Sequence, residues 1–573
     1  MSGRVRRYFR TRKYHHDVSV AHRSEPVTVD SISCHKLTKH KNVVRLLLHH
    51  RLATILVLIA HLALVLALYS EAFVRIDGEA FALLGDDEFI SMVYARQVAQ
   101  HGQLVWSDGQ RVEGFSNLLW TLIMAVTHFL PFAERLAALP ILLLNVLLVP
   151  LSALLAAGLA ARMAGDLGGT PSTRAVAAIV AASAVLLNFS YLNYAAAGSE
   201  GPLAAVFLLL AWHFWERLSA GSRSAWPVGV FLGLAALTRT ELGLFLCAVL
   251  AVVALYPRWR QRALRALLIT GAVVLAMTLW RIVYYGDVLP NTYYLKVYRF
   301  PHRWHNGLRY AVEFLVGGGG VLLLVLGAVG VRGSSTARIA ALCAGLFILY
   351  IAYLGGDALP LYQLYAPIFP VLVAPAAAGL AHVAARIEAQ PHVAVVLGAI
   401  LLVVGTNADS HYYARALSVR RWKGIPNPPT PRIRENIILA KWLNVNTPPE
   451  ARIAVFMAGA LTYFCERLAV DMLGRSEPHI ARLPAGPGRV PGHNKYDFDY
   501  VVETLRPDYI LGERLHPSPG TAPPGGDPRL RDYGFVDALA YSEALQRDYE
   551  PLAAEYPSAE QRTLYVRRDQ SGE

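Results

Sequence analysis

Apolar residues along the chain gather in long runs separated by short polar stretches. The first run, Leu52–Ser70, approaches the roughly 20 residues that a helix needs to cross a bilayer. Others follow at Ser116–Leu130, Leu136–Ala160, Ala175–Leu187, Pro202–Trp215, Pro227–Leu255, Ala266–Tyr285, Val312–Val331, Ala337–Leu354, Leu361–Val383 and Val393–Val404. This pattern predicts a mainly α, polytopic membrane helix bundle over residues 52–406, with about eleven to thirteen spans. Pro150 interrupts one run and Arg239-Thr240-Glu241 another. Charges at membrane depth are expected to face a cavity rather than lipid.

Near Asn407 the pattern changes. Ile425-Pro426-Asn427-Pro428-Pro429 reads as a linker turn. Beyond it, Ile453–Phe456, Leu468–Asp471 and Tyr509–Leu511 read as strands, and Ala458–Glu466 and Val501–Leu505 as helical. Residues 407–573 therefore form a small α/β domain. Pro517–Pro528 is rich in Pro and Gly and reads as a loop. Gly317–Gly320 reads as a loose helix start, since no Lys or strand flanks it as in a phosphate loop.

Composition agrees with the pattern. The chain is 54% hydrophobic and 17% charged, against about 25% charged in soluble domains. Its formal net charge is +13, and much of the excess lies between Arg4 and Arg51, ahead of the first run. That placement follows the positive-inside rule and points to anionic lipid rather than nucleic acid. Residues 1–51 are thus expected to be a basic cytoplasmic arm. Arg258, Arg260, Arg262, Arg265, Arg332 and Arg338 mark further cytoplasmic loops. Residues 71–115, 286–311 and 407–573 then lie outside, in a multi-pass protein of the plasma (inner) membrane. The four cysteines, Cys34, Cys247, Cys343 and Cys465, fit neither a disulfide framework nor a zinc site.

Several polar residues are candidates for chemistry. The first outer segment carries Asp86, Asp87, Glu88, Arg96, Asp108, Arg111 and Glu113. Adjacent carboxylates raise one another's pKa. Asp86 and Asp87 suit a general base, a divalent-cation site (Mg, Mn or Ca), or simply a solvated acidic loop. The second outer segment holds Asn291 and Lys296 among tyrosines, with Arg299, His302, Arg303 and His305 behind. It suits a lipid phosphate and its prenyl chain, or plain interfacial anchoring. Glu200, Arg239, Glu241 and Asp357 sit near outer span ends, as substrate ligands or structural ion pairs. Asp471, His493 and Lys495 could close over the same face from the C-terminal domain. Ionisable residues at membrane depth also suit a transporter or flippase, although no internal repeat is visible. A scaffold with the C-terminal domain as its binding module is a third reading.

Taken in order, these blocks resemble a known family. They comprise Gly85-Asp86-Asp87, Tyr94-Ala95-Arg96, Val105-Trp106 and Arg111-Val112-Glu113-Gly114, then Gly198-Ser199-Glu200 and Arg239-Thr240-Glu241. They continue with Tyr284-Tyr285-Gly286, Pro290-Asn291-Thr292, Lys296, Gly355-Gly356-Asp357, Asp471, Gly474 and Gly492-His493-Asn494-Lys495. The series is similar to the GT-C glycosyltransferases that include the terminal β-(1→2)-arabinofuranosyltransferases of mycobacterial arabinan. The resemblance implies an active site at the extracytoplasmic face of the bundle. It implies a polyprenyl-phosphate sugar donor, arabinofuranose in the named case, and inverting transfer to a cell-envelope glycan, glycolipid or surface protein. Asp86 or Asp87 would be the base. Lys296, Arg239 and His493 would be candidates for the lipid phosphate, with Arg96, Glu113, Glu200, Glu241, Asn291, Asp357 and Lys495 as further substrate ligands. The chain departs from the family at Gln363, where an Arg is usual, and at Thr240 in place of a Pro.

Overall fold

The computed structural model describes residues 52–219, 224–359, 361–408, 431–486, 490–512, 539, 542–552 and 562–569. The expected basic arm, the linker turn at 425–429 and the loop at 517–528 lie outside the described residues. Leu52–Glu573 form one compact unit.

Among the described residues, five helices are long and apolar enough to cross a membrane. They are Leu52–Ser70, Glu134–Asp166, Arg260–Tyr285, Ser335–Leu354 and Phe369–Arg386. Two bent pairs raise the number to seven: Pro171–Leu186 with Phe189–Ala196, and Arg303–Val316 with Gly320–Gly330. The protein is a multi-pass membrane protein. The longer count read from hydropathy includes runs that fold as shorter helices, such as Leu118–Thr127 with 10 residues. Ten residues rise only about 15 Å, half the hydrocarbon thickness.

Burial differs sharply between these helices. The apolar window of Leu52–Ser70 is 17% buried, so most of it lies on the outside of the bundle, whereas that of Phe369–Arg386 is 78% buried. Small residues make the central position possible. A Cβ on Gly379 would run into the Leu326 carbonyl, so the backbones of Phe369–Arg386 and Gly320–Gly330 meet directly. The apolar run Pro227–Leu255 breaks at Arg239, which has extended backbone, φ −144° and ψ 111°. The halves are Trp226–Thr238 and Thr240–Ala254.

The first outer segment is not a loop. A hairpin of β1 (Phe73–Ile76) and β2 (Glu79–Ala82) leads into a 16-residue helix, Asp86–His101. Asp86, Asp87 and Glu88 fill its first turn, where the helix dipole favours negative charge. Gly102 ends it in the left-handed conformation at φ 67°.

The C-terminal strands are β3 (Arg452–Val455), β4 (Leu468–Asp471), β5 (Tyr509–Gly512), β6 (Tyr549–Pro551) and β7 (Thr563–Arg567). They form one sheet in the order β4-β3-β5-β7-β6. β3 is parallel to β4 and β5, and β7 is antiparallel to β5 and β6. A helix, Pro431–Asn446, precedes the sheet. One hydrophobic core joins this domain to the first outer segment: Phe81, Phe89 and Met92 pack with Ile437, Leu443, Leu461 and Tyr463. The shared core fixes the acidic helix N-terminus against the C-terminal loops.

Candidate active site

Two chambers meet at the Asp86–His101 helix. The larger, ≈ 640 Å³, lies inside the bundle. Part of its lining is apolar, with Leu244, Phe245, Ala248, Met277, Tyr350 and Leu354, and part is polar, with Glu200, Arg239, Glu241, Arg281 and Gln363. The smaller, ≈ 150 Å³, lies between that helix and the C-terminal domain, with Asp86, Phe456, Met457, Asp471, Gly492 and His493 in its wall. Asp87, Glu88, Ile90, Lys296, Asp357 and Arg475 line both.

The two aspartates are in different electrostatic situations. Asp86 borders only the smaller chamber, and its Oδ1 accepts a hydrogen bond from the Ala460 backbone N–H at 2.9 Å. That approach requires Gly459, since a Cβ there would collide with the Asp86 backbone. Burial raises the Asp86 carboxyl above its ordinary pKa, and Asp87 adds to the rise. Burial pushes Asp87 the same way, but Arg475 and Lys296 outweigh it and hold the group down at about 2. Arg475 Nη1 lies 2.6 Å from Asp87 Oδ1. Glu88, beside them, is buried, and Gln363 Nε2 donates to its Oε1 at 3.5 Å.

Arg475 escapes sequence reasoning because it is a lone Arg in a short loop. Three side chains present it. Asp471 accepts from the N–H groups of Leu473 and Ser476 at 2.9 and 2.6 Å. Asn291 Nδ2 donates to the carbonyls of Gly474 and Arg475 at 2.9 and 2.8 Å. The Tyr94 hydroxyl lies 3.2 Å from Ser476 Oγ. Asn291 is therefore a positioning residue here rather than part of a chamber wall.

The remaining predicted residues divide into two groups. Lys296, Asp357, Glu200, Arg239, Glu241 and His493 line the chambers. Lys296 Nζ is 3.4 Å from Asp357 Oδ1 and keeps 27% of its side chain exposed. Arg239 is spent on two carboxylates, Glu200 at 3.1 Å and Glu241 at 2.6 Å, and Asn117 donates to Glu200 at 3.2 Å. His493 lines the smaller chamber, but not as a cation: burial, then Arg475, lowers it to about 4, and its Nδ1 faces the Pro491 carbonyl at 3.2 Å.

Three expected substrate ligands lie off the chambers. Lys495 is buried, and its ammonium donates to the carbonyls of Tyr294, Tyr298 and Ala481 at 2.7, 2.7 and 2.8 Å. Burial lowers it to about 8. Arg96 reaches Glu134 at 3.0 Å and the Tyr463 carbonyl at 2.6 Å, tying helix to domain. Glu113 forms a fully buried fork with Arg281, through Nε to Oε2 and Nη2 to Oε1. Among the described residues, no group of three or more His, Cys, Asp or Glu is arranged to hold a metal ion.

A family model described as a domain of unknown function (DUF8728) matches residues 431–567, which carry the C-terminal sheet. The chain is 26% identical over 242 residues to the terminal β-(1→2)-arabinofuranosyltransferase of Mycobacterium tuberculosis. That match covers 40% of this chain and only 37% of the length of the curated relative. The crystal structure of ArnT from Cupriavidus metallidurans bound to undecaprenyl phosphate is similar with a TM-score of 0.54 at 14% identity. It covers 89% of this chain and 97% of that one. The apo structure of the same protein gives 0.53 at 15% identity, with the same coverage. The chain therefore has the membrane-bundle fold of the GT-C glycosyltransferases.

Proposed function

We propose that the protein transfers a sugar from a polyprenyl-phosphate donor to a cell-envelope acceptor with inversion, and that Asp86 is the base. The observation that carries this reading is the wall between the chambers. On it, Asp86, a carboxyl without an ion-pair partner among the described residues, borders the smaller chamber, while Arg475 and Lys296 reach both chambers. The apolar lining of the larger chamber suits the prenyl chain, and the two cations suit its phosphate. Undecaprenyl phosphate in the ArnT structure supports the same donor class here. Arabinofuranose is the proposed sugar, on the likeness to the mycobacterial enzyme.

In this reading an acceptor hydroxyl in the smaller chamber attacks C1 of the donor sugar. The bond from C1 to the phosphate oxygen breaks, and polyprenyl phosphate leaves. The acceptor proton passes to Asp86. Arg475 and Lys296 stabilise the charge that develops on the phosphate. Asp87 holds Arg475 in place and is too strongly ionised to be a good proton acceptor. A divalent cation is a further proposal: Asp86 and Asp87 would hold it, and it would supply charge neutralisation. The chambers and the C-terminal domain would face the extracytoplasmic side, with the N-terminus in the cytoplasm.

The test uses the full chain in lipid nanodiscs with labelled polyprenyl-phosphoryl arabinofuranose and an envelope glycan fraction. Label should move to the glycan with wild type and not with Asp86→Asn. Absence of transfer by wild type from this and other prenyl-phosphate pentoses or hexoses rejects the reading.

A further inference from the structure

The carboxylates around the larger chamber are nearly all matched to a cation. Asp87 has Arg475, Asp357 has Lys296, and Glu200 and Glu241 share Arg239. Glu88 has no such ion pair among the described residues. Its partner is Gln363, an uncharged amide. Both side chains are more than nine-tenths buried, at 4% and 7% exposure, yet both line the chamber. Their pairing is long, at 3.5 Å, and occupies one oxygen of Glu88 and the nitrogen of Gln363. Among the described residues, neither group makes a hydrogen bond to a second side chain beyond this one. A carboxyl and an amide that share one long contact on a cavity wall have hydrogen-bonding capacity to spare, and they mark a place where a ligand's own polar groups belong.

We propose that Glu88 and Gln363 form the subsite that holds hydroxyl groups of an uncharged donor sugar, setting which prenyl-phosphate sugar the protein accepts. This rests on the donor reading above. Position supports it. Glu88 follows Asp87 directly and borders both chambers, so a sugar attached to a phosphate at Arg475 and Lys296 would lie against it. Chemistry supports it as well. A carboxyl and an amide side by side offer acceptors and donors to neighbouring hydroxyls, the pattern a sugar edge presents. A uronic acid would bring a second carboxylate into a wall whose cations, among the described residues, are already paired with carboxylates. An Arg at position 363 would instead pair with Glu88 and take up the oxygens that the sugar needs.

The distinguishing measurement compares two ligands that differ only in the sugar. Affinities for undecaprenyl phosphate and for an undecaprenyl-phosphoryl pentose are measured on the full chain in nanodiscs. Glu88→Ala and Gln363→Ala should each weaken binding of the sugar-bearing ligand about tenfold or more, with undecaprenyl phosphate bound as by wild type. Gln363→Arg should have the same selective effect. Where Glu88→Ala does not accumulate as folded protein, Gln363→Ala alone carries the comparison. Equal weakening of both ligands, or of neither, overturns the subsite while leaving the donor reading intact. Wild type that binds neither ligand overturns both.

Discussion

Arg475 Nη1 lies 2.6 Å from Asp87 Oδ1, joining side chains that are 388 residues apart in the sequence. The pair links the C-terminal domain to the first turn of the acidic helix. It also fixes a cation at the junction of the two chambers. The tie has a pH signature. Asp87 is held at about 2, below its ordinary value of 3.8, so its contribution to stability is complete above pH 3.8 and disappears as pH falls through about 2. With one third of the Asp87 side chain exposed, screening limits that contribution to about 1–2 kcal/mol. Thermal unfolding of Asp87→Asn at pH 7 should show a loss of this size, shrinking as pH approaches 2. A loss that is independent of pH in that window would mean that the pair contributes through packing alone.

Asp86 has the opposite sign. Its carboxyl is raised by burial and by Asp87. The native state therefore holds that proton more tightly, and ionised Asp86 costs stability once pH rises past the raised value. Asp86→Asn removes that cost and should leave the melting temperature at pH 7 unchanged or higher. The amide oxygen still accepts from Ala460. Sugar transfer should nevertheless fall by ~10²–10⁴-fold, the usual contribution of a general base. In wild type, kcat/KM should decline as pH drops toward the raised pKa of Asp86. A variant that is both less stable and equally active would remove Asp86 from the chemistry.

Much of this site could be read in the chain, and the remainder was hidden for identifiable reasons. Short strands such as Ile453–Phe456 and Leu468–Asp471 were legible because each is a compact apolar run between turn residues, and they appear as β3 and β4 within a residue. The Asp86–His101 helix was not. Residues from Glu88 to Ala95 are all buried, so no amphipathic stripe marks the helix. Asp86 and Asp87 stood out as an acidic pair, while Glu88 passed as their neighbour, because only the fold brings Gln363 to it. Arg475 and Arg281 acquire partners only through contacts far along the chain. Lys495 and Arg96 illustrate the converse. Both are charged residues near the expected site, and the heads of both serve backbone carbonyls.

The Glu113–Arg281 fork illustrates how much of the site depends on structure at a distance. Each side chain is only 2% exposed. Glu113 also offers its backbone carbonyl to Asn291 N–H at 3.0 Å, and Asn291 in turn holds the Arg475 loop. Removing one partner leaves a buried charge alone, at a cost of about 3–5 kcal/mol. Arg281→Met should therefore unfold readily in detergent or fail to accumulate. The double variant Glu113→Leu with Arg281→Met should recover much of that stability. Failure of the double variant to recover would assign the fork a role beyond charge compensation.

Chelation separates the two ways of neutralising a donor phosphate. With the proposed cation on Asp86 and Asp87, EDTA should reduce transfer by at least tenfold, and Mg²⁺, Mn²⁺ or Ca²⁺ should restore it. Transfer that survives thorough chelation leaves the task to Arg475 and Lys296. In that case Lys296→Met should raise the donor KM by about tenfold, as expected for a charge-assisted contact to phosphate.

Lys296 and Lys495 are one short stretch of protein apart in space, yet their substitutions should read out differently. Lys495 donates to the carbonyls of Tyr294 and Tyr298, which flank Lys296 in the sequence, and to that of Ala481. It thus sets the backbone that carries Lys296 without reaching the chambers itself. Lys495→Met strands three buried acceptors, each worth about 1 kcal/mol or more. Its melting temperature should fall clearly, and the donor KM of the surviving folded fraction should change little. Lys296→Met should do the reverse, because its ammonium is partly exposed and its single partner, Asp357, keeps the Ala358 N–H at 2.8 Å. Titrating each variant with undecaprenyl phosphate, alongside a thermal melt, distinguishes the two roles. A Lys495 variant that melts like wild type but loses donor affinity would return that residue to the binding site.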